Sequence, residues 1–421
     1  MPGFLRLLKR GGMPETVAPA EHRQELQLRF RSAVALLRRH RTAVAFVAAS
    51  IAAALVLRRW RYDLHLVAVV LAVAFAWAVV LASQSGGALR NAALAAAALL
   101  FVPAAIEVAF ALHEPPPAWA TYSAPYYIDH PILGFAPRPS AAVEARKTDA
   151  AGRLIYGVTY TIDADGLRRT QSNPAGPTFA FFFDSFVFGE GVNDTEALPQ
   201  VFADLGGRAD HVLNFGFHGY GPQAFLRTLE TGFRDSLLRP APLTFVLMTA
   251  VWHAERAACR PEYTMATARY TLVAGRALYI GPCLAPGLVW LQRRLNHSFI
   301  YRTAARALTD PERDIALYLS ELCEGVTLAR RKYAARVVIL YLRSPARLFA
   351  GTRYTDDFLM DRLRQCGGEV MDATPEISPG VPLLDWSGQS RLQLAGDGHP
   401  SPAAHRLFAL RLHNAVKPRA R

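Results

Sequence analysis

Phe179-Ala-Phe-Phe-Phe183 runs straight into Asp184-Ser185-Phe-Val-Phe-Gly189-Glu190-Gly191. Five apolar residues without a polar break are the pattern of a strand buried on both faces, and such a strand belongs to a sheet with helices on either side. The Asp-Ser pair and the glycines after it end the strand in a turn. Four more short apolar runs repeat the pattern, at 211–217, 243–251, 336–342 and Glu369–Asp372. Helical stretches lie between them. Residues 223–238 put Phe225, Leu226, Leu229, Phe233 and Leu237 on one side, and 310–333 and 354–366 follow. The last helix has Ser401 as N-cap, Pro402 at its first position, and Ala404, Phe408, Leu412 and Val416 as an apolar stripe. This alternation predicts an α/β domain over 178–421, three layers deep, with a mostly parallel five-stranded sheet. Residues 260–308 break the rhythm and read as an insertion. Residues 113–177 read as a linker and β-rich lead-in: Glu114-Pro-Pro-Pro117 stops a helix, Val158–Ile162 alternates, and Asp163-Ala-Asp-Gly166 is a turn rather than a calcium loop.

In such sheets a site lies at the carboxyl ends of the strands. Three polar clusters fall there. They are Asp184-Ser185 with its glycine turn, Asn214-Phe-Gly-Phe-His218-Gly219-Tyr-Gly-Pro222, and Gly396-Asp397-Gly-His399-Pro-Ser401. These are the parts for acyl transfer. A hydroxyl nucleophile needs a base, the base needs an orienting carboxylate, and the oxyanion needs fixed N–H donors. Glycines leave backbone N–H groups open for that last role. Asp184 reads as a turn stabiliser, Glu190 as a turn or solvated residue, and His211 and His218 as structural.

The three clusters resemble the blocks of the SGNH (GDSL-like) hydrolase superfamily over about residues 172–416. Asp-Ser-Phe-Val-Phe-Gly-Glu-Gly resembles the first block, Asn-Phe-Gly-Phe-His-Gly-Tyr-Gly the second, and Asp-Gly-His-Pro the last. The resemblance implies Ser185 as nucleophile, His399 as general base, Asp397 as its orienting partner, and the N–H groups of Ser185 and Gly219 as oxyanion donors. Two positions depart from the family. Phe183 stands where the first block has Gly. The third block, which supplies an Asn to the oxyanion hole, reads Trp252-His253-Ala-Glu255-Arg256. His253 is the expected substitute donor there, and Arg256 a candidate for holding an acidic substrate group. The spacing Asp-x-His is the shorter form, shared with polysaccharide O-acetyltransferase relatives.

The first quarter of the chain is different. Thr42 to Leu57, Leu64 to Leu89 and Asn91 to Ile106 carry no formal charge. A spanning helix takes about 20 apolar residues, so about three transmembrane helices are expected, near 42–57, 64–83 and 91–112. Glu107 must then sit near the headgroups or face another helix. Residues 1–41 hold nine Lys and Arg and read as a basic cytoplasmic segment. Three spans put the C-terminal domain outside, in the periplasm of a bacterium. Two spans would leave it cytoplasmic, and Arg58, Arg59 and Arg61 fit that second arrangement better.

Composition then takes a narrower meaning. The net charge is +13 over 421 residues, but residues 1–112 hold 13 Lys and Arg against 5 Asp and Glu. Much of the excess is a topology signal, and no basic stripe marks a nucleic-acid partner. The four cysteines have no CxxC spacing, so no metal or other cofactor is expected. An oxidising compartment would allow Cys259–Cys283 and Cys323–Cys366 to pair. The expectation is a multi-pass inner-membrane esterase or O-acyl(acetyl)transferase of SGNH type, acting on acyl esters of a cell-envelope polysaccharide or lipid. The alternative is a catalytically inactive SGNH-like glycan-binding scaffold.

Overall fold

The computed structural model describes residues 65–114, 120–238, 242–374, 376–378, 381–382 and 392–417. The chain divides into two compact units, 1–113 with 297–300, and 114–296 with 301–421.

In the first unit, α1 (Leu66–Gln84) and α2 (Gly87–His113) are long and apolar enough to cross a membrane, with mean hydropathy of 2.7 and 2.2. The first expected span, 42–57, and the basic segment 1–41 lie outside the described residues. Glu107, six residues before the C-terminal end of α2, is buried. It accepts hydrogen bonds from Ser298 Oγ (2.6 Å) and from the N–H groups of Phe299 (3.2 Å) and Ile300 (2.8 Å). A carboxylate in an apolar helix is tolerable only when its oxygens are satisfied in this way.

The second unit opens with the β-rich lead-in. β1 (Thr121–Tyr122), β4 (Ala142–Thr148) and β5 (Leu154–Thr161) form an antiparallel sheet, and β2 (Tyr127–His130) pairs with β3 (Gly134–Pro137). Strand–helix alternation follows: β6 (Thr178–Phe182), α3 (Ser185–Phe188), α4 (Leu198–Leu205), β7 (His211–Asn214), α5 (Pro222–Thr231), β8 (Leu243–Thr249) and α6 (His253–Ala257). The insertion supplies a hairpin, β9 (Ala268–Val273) and β10 (Arg276–Pro282), then α7 (Pro286–Leu295) and α8 (Phe299–Ala307). The alternation resumes with α9 (Pro311–Tyr333), β11 (Arg336–Tyr341), α10 (Asp356–Gln365), β12 (Glu369–Asp372) and α11 (Pro402–Val416).

Five strands make the central sheet in the order β12-β11-β8-β6-β7, and every pairing is parallel. β6 and β8 are buried along their whole length, as expected for strands covered on both faces. Their shared edge is where the winding direction reverses, since β7 lies to one side and β11 and β12 to the other. In open α/β sheets a crevice opens at that switch point, beyond the carboxyl ends. α5 is shorter than the expected 223–238. Gly232 adopts φ +66° and returns its N–H to Thr228 O, which closes the helix.

Candidate active site

β6 ends at Phe182 and the chain turns sharply. Phe183 has φ +113°, a region that favours glycine. Its ring is buried against Phe225 and His253, and its carbonyl accepts from the N–H of Phe217. Phe183 thus holds a conformation that favours glycine, and the packing of its ring holds the strain. Asp184 then caps α3, accepting from Phe186 N–H at 3.0 Å. Ser185 is the first residue of that helix, at the mouth of the β6/β8 crevice.

Ser185 Oγ lies 2.9 Å from His399 Nε2. His399 Nδ1 lies 2.6 Å from Asp397 Oδ1. Because the carboxylate can only accept, Nδ1 carries the proton and Nε2 is left to take one from the serine. Asp397 is buried and has Lys147 Nζ at 3.4 Å from its other oxygen. The N–H groups of Ser185 and Gly219 donate to no acceptor among the described residues. Gly219 has φ +75°, and a Cβ there would meet the Tyr263 ring at 2.7 Å. Around the serine is a pocket of about 510 Å³, bordered by Trp252, Glu255, Arg256, Tyr263 and Gln393.

Two expectations need correction. His253 was expected to donate to the oxyanion, but both its ring nitrogens are spent. Nδ1 accepts from Ala250 N–H at 3.2 Å, and Nε2–H donates to Asp184 Oδ2 at 3.0 Å. Burial, helped by the Arg256 charge, lowers its pKa and keeps it neutral. Arg256 was expected to be free for an acidic substrate group. Its Nη1 is instead held by Asp184 Oδ2 (2.9 Å) and Tyr220 O (2.6 Å). Both residues serve Asp184. Burial alone would raise its pKa, yet Arg256 and His253 hold the carboxyl well below the usual range. They fix the turn that carries Ser185.

Two further readings need correction, since Glu190 is not a solvated turn residue and His218 is not merely structural: both join the Ser185 site, with Arg168 behind them. Glu190 Oε2 is 2.5 Å from His218 Nδ1 and 3.3 Å from His399 Nε2. His218 Nε2 in turn meets Tyr126 OH at 2.5 Å. Burial acts against the Glu190 charge, but the two histidines outweigh it and keep the carboxylate ionised. Burial likewise pulls His399 down, while Glu190 and Asp397 raise it more, so its pKa lies above 6.5. Glu190, Asp397 and His399 each offer one ligand atom within 4.8 Å of the others, a spacing that could hold a metal ion. Arg168 is fully buried and stitches the Ser185 loop. It donates to the carbonyls of Phe188 (2.6 Å), Gly189 (2.6 Å) and Val192 (2.8 Å), and bonds Asp194. The signal available in sequence was only the Gly189-Glu190-Gly191 turn and an isolated Arg; what they touch is set by tertiary packing.

No protein-family model and no curated protein matches the chain. Among solved structures, it is similar to a carbohydrate acetylesterase family member from Sinorhizobium meliloti, at 14% identity over 57% of this chain and 97% of that one, with a TM-score of 0.32. It is similar to AlinE4, an SGNH-hydrolase family esterase, at 16% identity over 57% and 95%, with a TM-score of 0.29. It is also similar to LAE5, an alpha/beta hydrolase enzyme from the metagenome of Lake Arreo, Spain, at 17% over 57% and 95%, with a TM-score of 0.30.

Proposed function

We propose that this protein is a membrane-anchored serine esterase or O-acyltransferase of SGNH type, acting on acyl esters of a cell-envelope glycan. The observation that carries the reading is the hydrogen-bonded series Ser185–His399–Asp397 at the carboxyl end of β6. Ser185 Oγ attacks the ester carbonyl carbon while its proton passes to His399 Nε2. The oxyanion is met by the N–H groups of Ser185 and Gly219. Collapse of the tetrahedral intermediate breaks the C–O bond, and His399 returns the proton to the departing alcohol. Water, or a sugar hydroxyl in a transferase, then attacks the acyl-serine, with His399 taking its proton. The carboxylic acid or new ester leaves and Ser185 is restored. Asp397 keeps His399 in the productive tautomer and stabilises the imidazolium. The apolar helices α1 and α2 support a membrane anchor, and an anchored enzyme meets envelope substrates. The inactive-scaffold reading rested on Phe183 and the missing Asn. Phe183 keeps the glycine conformation, which removes half of that motive.

A fluorophosphonate probe tests the nucleophile. Wild type should be labelled on Ser185, and Ser185→Ala should not be labelled. His399→Ala should lower kcat/KM on p-nitrophenyl acetate by at least about 10³-fold. Equal labelling of Ser185→Ala, or full turnover by His399→Ala, rejects the reading.

A further inference from the structure

Beyond the pocket around Ser185 the surface opens into a second cleft. Trp252, Glu255 and Tyr263 border both spaces. The second is about 750 Å³, within the range of ligand sites, about 300–1,000 Å³. Its walls come from α6, the insertion helices and the turn that carries Arg347. The disulfide Cys259–Cys283 fastens the insertion at its base, with Cα atoms 5.7 Å apart.

The arginines along this cleft are of two kinds. Arg260 is spent on both oxygens of Asp314, at 3.0 Å each. Arg302 is spent on Glu114 at 3.1 Å. Arg306 and Arg347 are exposed, and neither side chain has a hydrogen-bonding or ion-pair partner among the described residues. At the end nearer Ser185 the cleft offers aromatic rings, partly buried Trp252 and half-exposed Tyr263. Ring faces accept the apolar C–H faces of flat cyclic ligands. An unspent guanidinium presents a planar fork that fits a carboxylate or phosphate. Aromatics beside the serine and unpaired arginines farther out suit a chain of rings with anionic groups displaced from the ester.

We propose that this cleft binds an acidic sugar chain, seating one sugar on Trp252 and Tyr263 and its anionic groups, carboxylate or phosphodiester, on Arg306 and Arg347. The inference rests on the esterase reading for where the ester lies, but the anion site stands without it.

The test uses the full chain in detergent micelles, as Ser185→Ala, titrated calorimetrically with hexagalacturonate, linear hexaphosphate and maltohexaose. At least one anionic probe should bind at least tenfold more tightly than maltohexaose, and which one does so separates carboxylate from phosphate. Its affinity should fall as salt rises. The pair R306E/R347E should weaken it at least tenfold, while R306K/R347K keeps most of it. Maltohexaose-like affinity for both anions overturns the proposal. So does binding that is indifferent to salt, or equal binding by the Glu and Lys pairs. The salt series needs no arginine variant, and repeating it on the wild-type chain with the non-ester probes keeps misfolding from masking the answer. Anion binding without any labelling of Ser185 in the wild type would reject the esterase reading and leave this one standing.

Discussion

Glu190 sets a problem for His399. In the resting enzyme Nε2 must be free of a proton to act as base, yet a buried carboxylate sits 3.3 Å from it. A negative charge there favours the imidazolium. Burial pulls the His399 pKa down, but Glu190 and Asp397 overcome it and the net shift is upward from 6.5. The base form therefore fills at higher pH than in a free imidazole. Glu190→Gln removes the nearest charge but keeps the shape, so the acidic limb of the kcat/KM profile for p-nitrophenyl acetate should move to lower pH, with activity below neutrality rising relative to wild type. An unmoved limb would show that Glu190 does not govern His399. The same carboxylate stabilises the imidazolium that forms when Ser185 loses its proton, so the variant should pay with a lower plateau at alkaline pH. Phe183 gives a second residue-level test. Its φ of +113° favours Gly over Ala, whereas elsewhere Ala is the more stable. Losing the buried ring costs about 3–5 kcal/mol and releasing the strain returns about 1–3 kcal/mol. Phe183→Gly should therefore lower stability by about 2 kcal/mol, and Phe183→Ala by about 1 kcal/mol more, read by denaturant unfolding. At this level Ser185, Asp397 and His399 were singled out by the resemblance of their blocks to the SGNH superfamily, and the fold puts the three side chains within hydrogen-bond distance in series. Glu190, His218, Lys147 and Arg168 were not legible, because each acts through a partner dozens of residues away.

Among the helices, α9 carries an anomaly that no sequence pattern announces. Glu321 is fully buried, and neither of its oxygens has a hydrogen-bond partner among the described residues. Burial, reinforced by Glu230, raises its pKa well above 4.5. The folded protein keeps the proton that the unfolded chain gives up above 4.5, so this group takes stability away as pH rises from there towards its folded value. An unsatisfied buried carboxyl costs about 1–3 kcal/mol. Glu321→Leu should raise stability at pH 7 by that amount and flatten the loss between pH 5 and 7, as measured by thermal unfolding across pH; a less stable variant would mean that the carboxyl has a partner in solution. Element order was otherwise readable. All five central strands were found from short runs: β6, β8 and β11 are buried almost throughout and read as nearly unbroken apolar stretches, while the edge strands β7 and β12 are part-exposed and keep polar residues. Their ends were less legible. The second strand stops at Asn214, since that side chain turns back to accept from Gly216 N–H, and α5 stops at Gly232. The third-block His253 fell at the expected strand end but served Asp184, because direction of a side chain is decided by the turn, which periodicity does not encode.

At the scale of the whole molecule, the proposed membrane anchor makes a prediction about the compartment of the second unit. Charge placement gives two answers, depending on whether 42–57 spans, and that segment lies outside the described residues. The cysteines add an independent argument. Their sequence positions alone left the pairing open, but the fold brings Cys259 to Cys283 and Cys323 to Cys366, with Cα separations of 5.7 and 5.3 Å. All four are paired, and no free cysteine remains. Disulfides persist in oxidising compartments and are rare in the cytosol, so the proposed three-span arrangement predicts that both pairs are formed in the cell. Freshly isolated membranes, denatured without reductant, should then give no reaction with a maleimide-polyethylene glycol reagent, and four shifts after reduction. Four shifts before reduction would place the domain in the cytosol and revive the two-span topology. The bond between α9 and α10, Cys323–Cys366, closes a loop of 43 residues, for which chain entropy predicts about 3–4 kcal/mol. In a domain of this size each kcal/mol moves Tm by about 2–4 °C. Cys323→Ser/Cys366→Ser should therefore unfold about 6–16 °C lower, while Ser185, which follows the carboxyl end of β6, should still be labelled at about 25 °C.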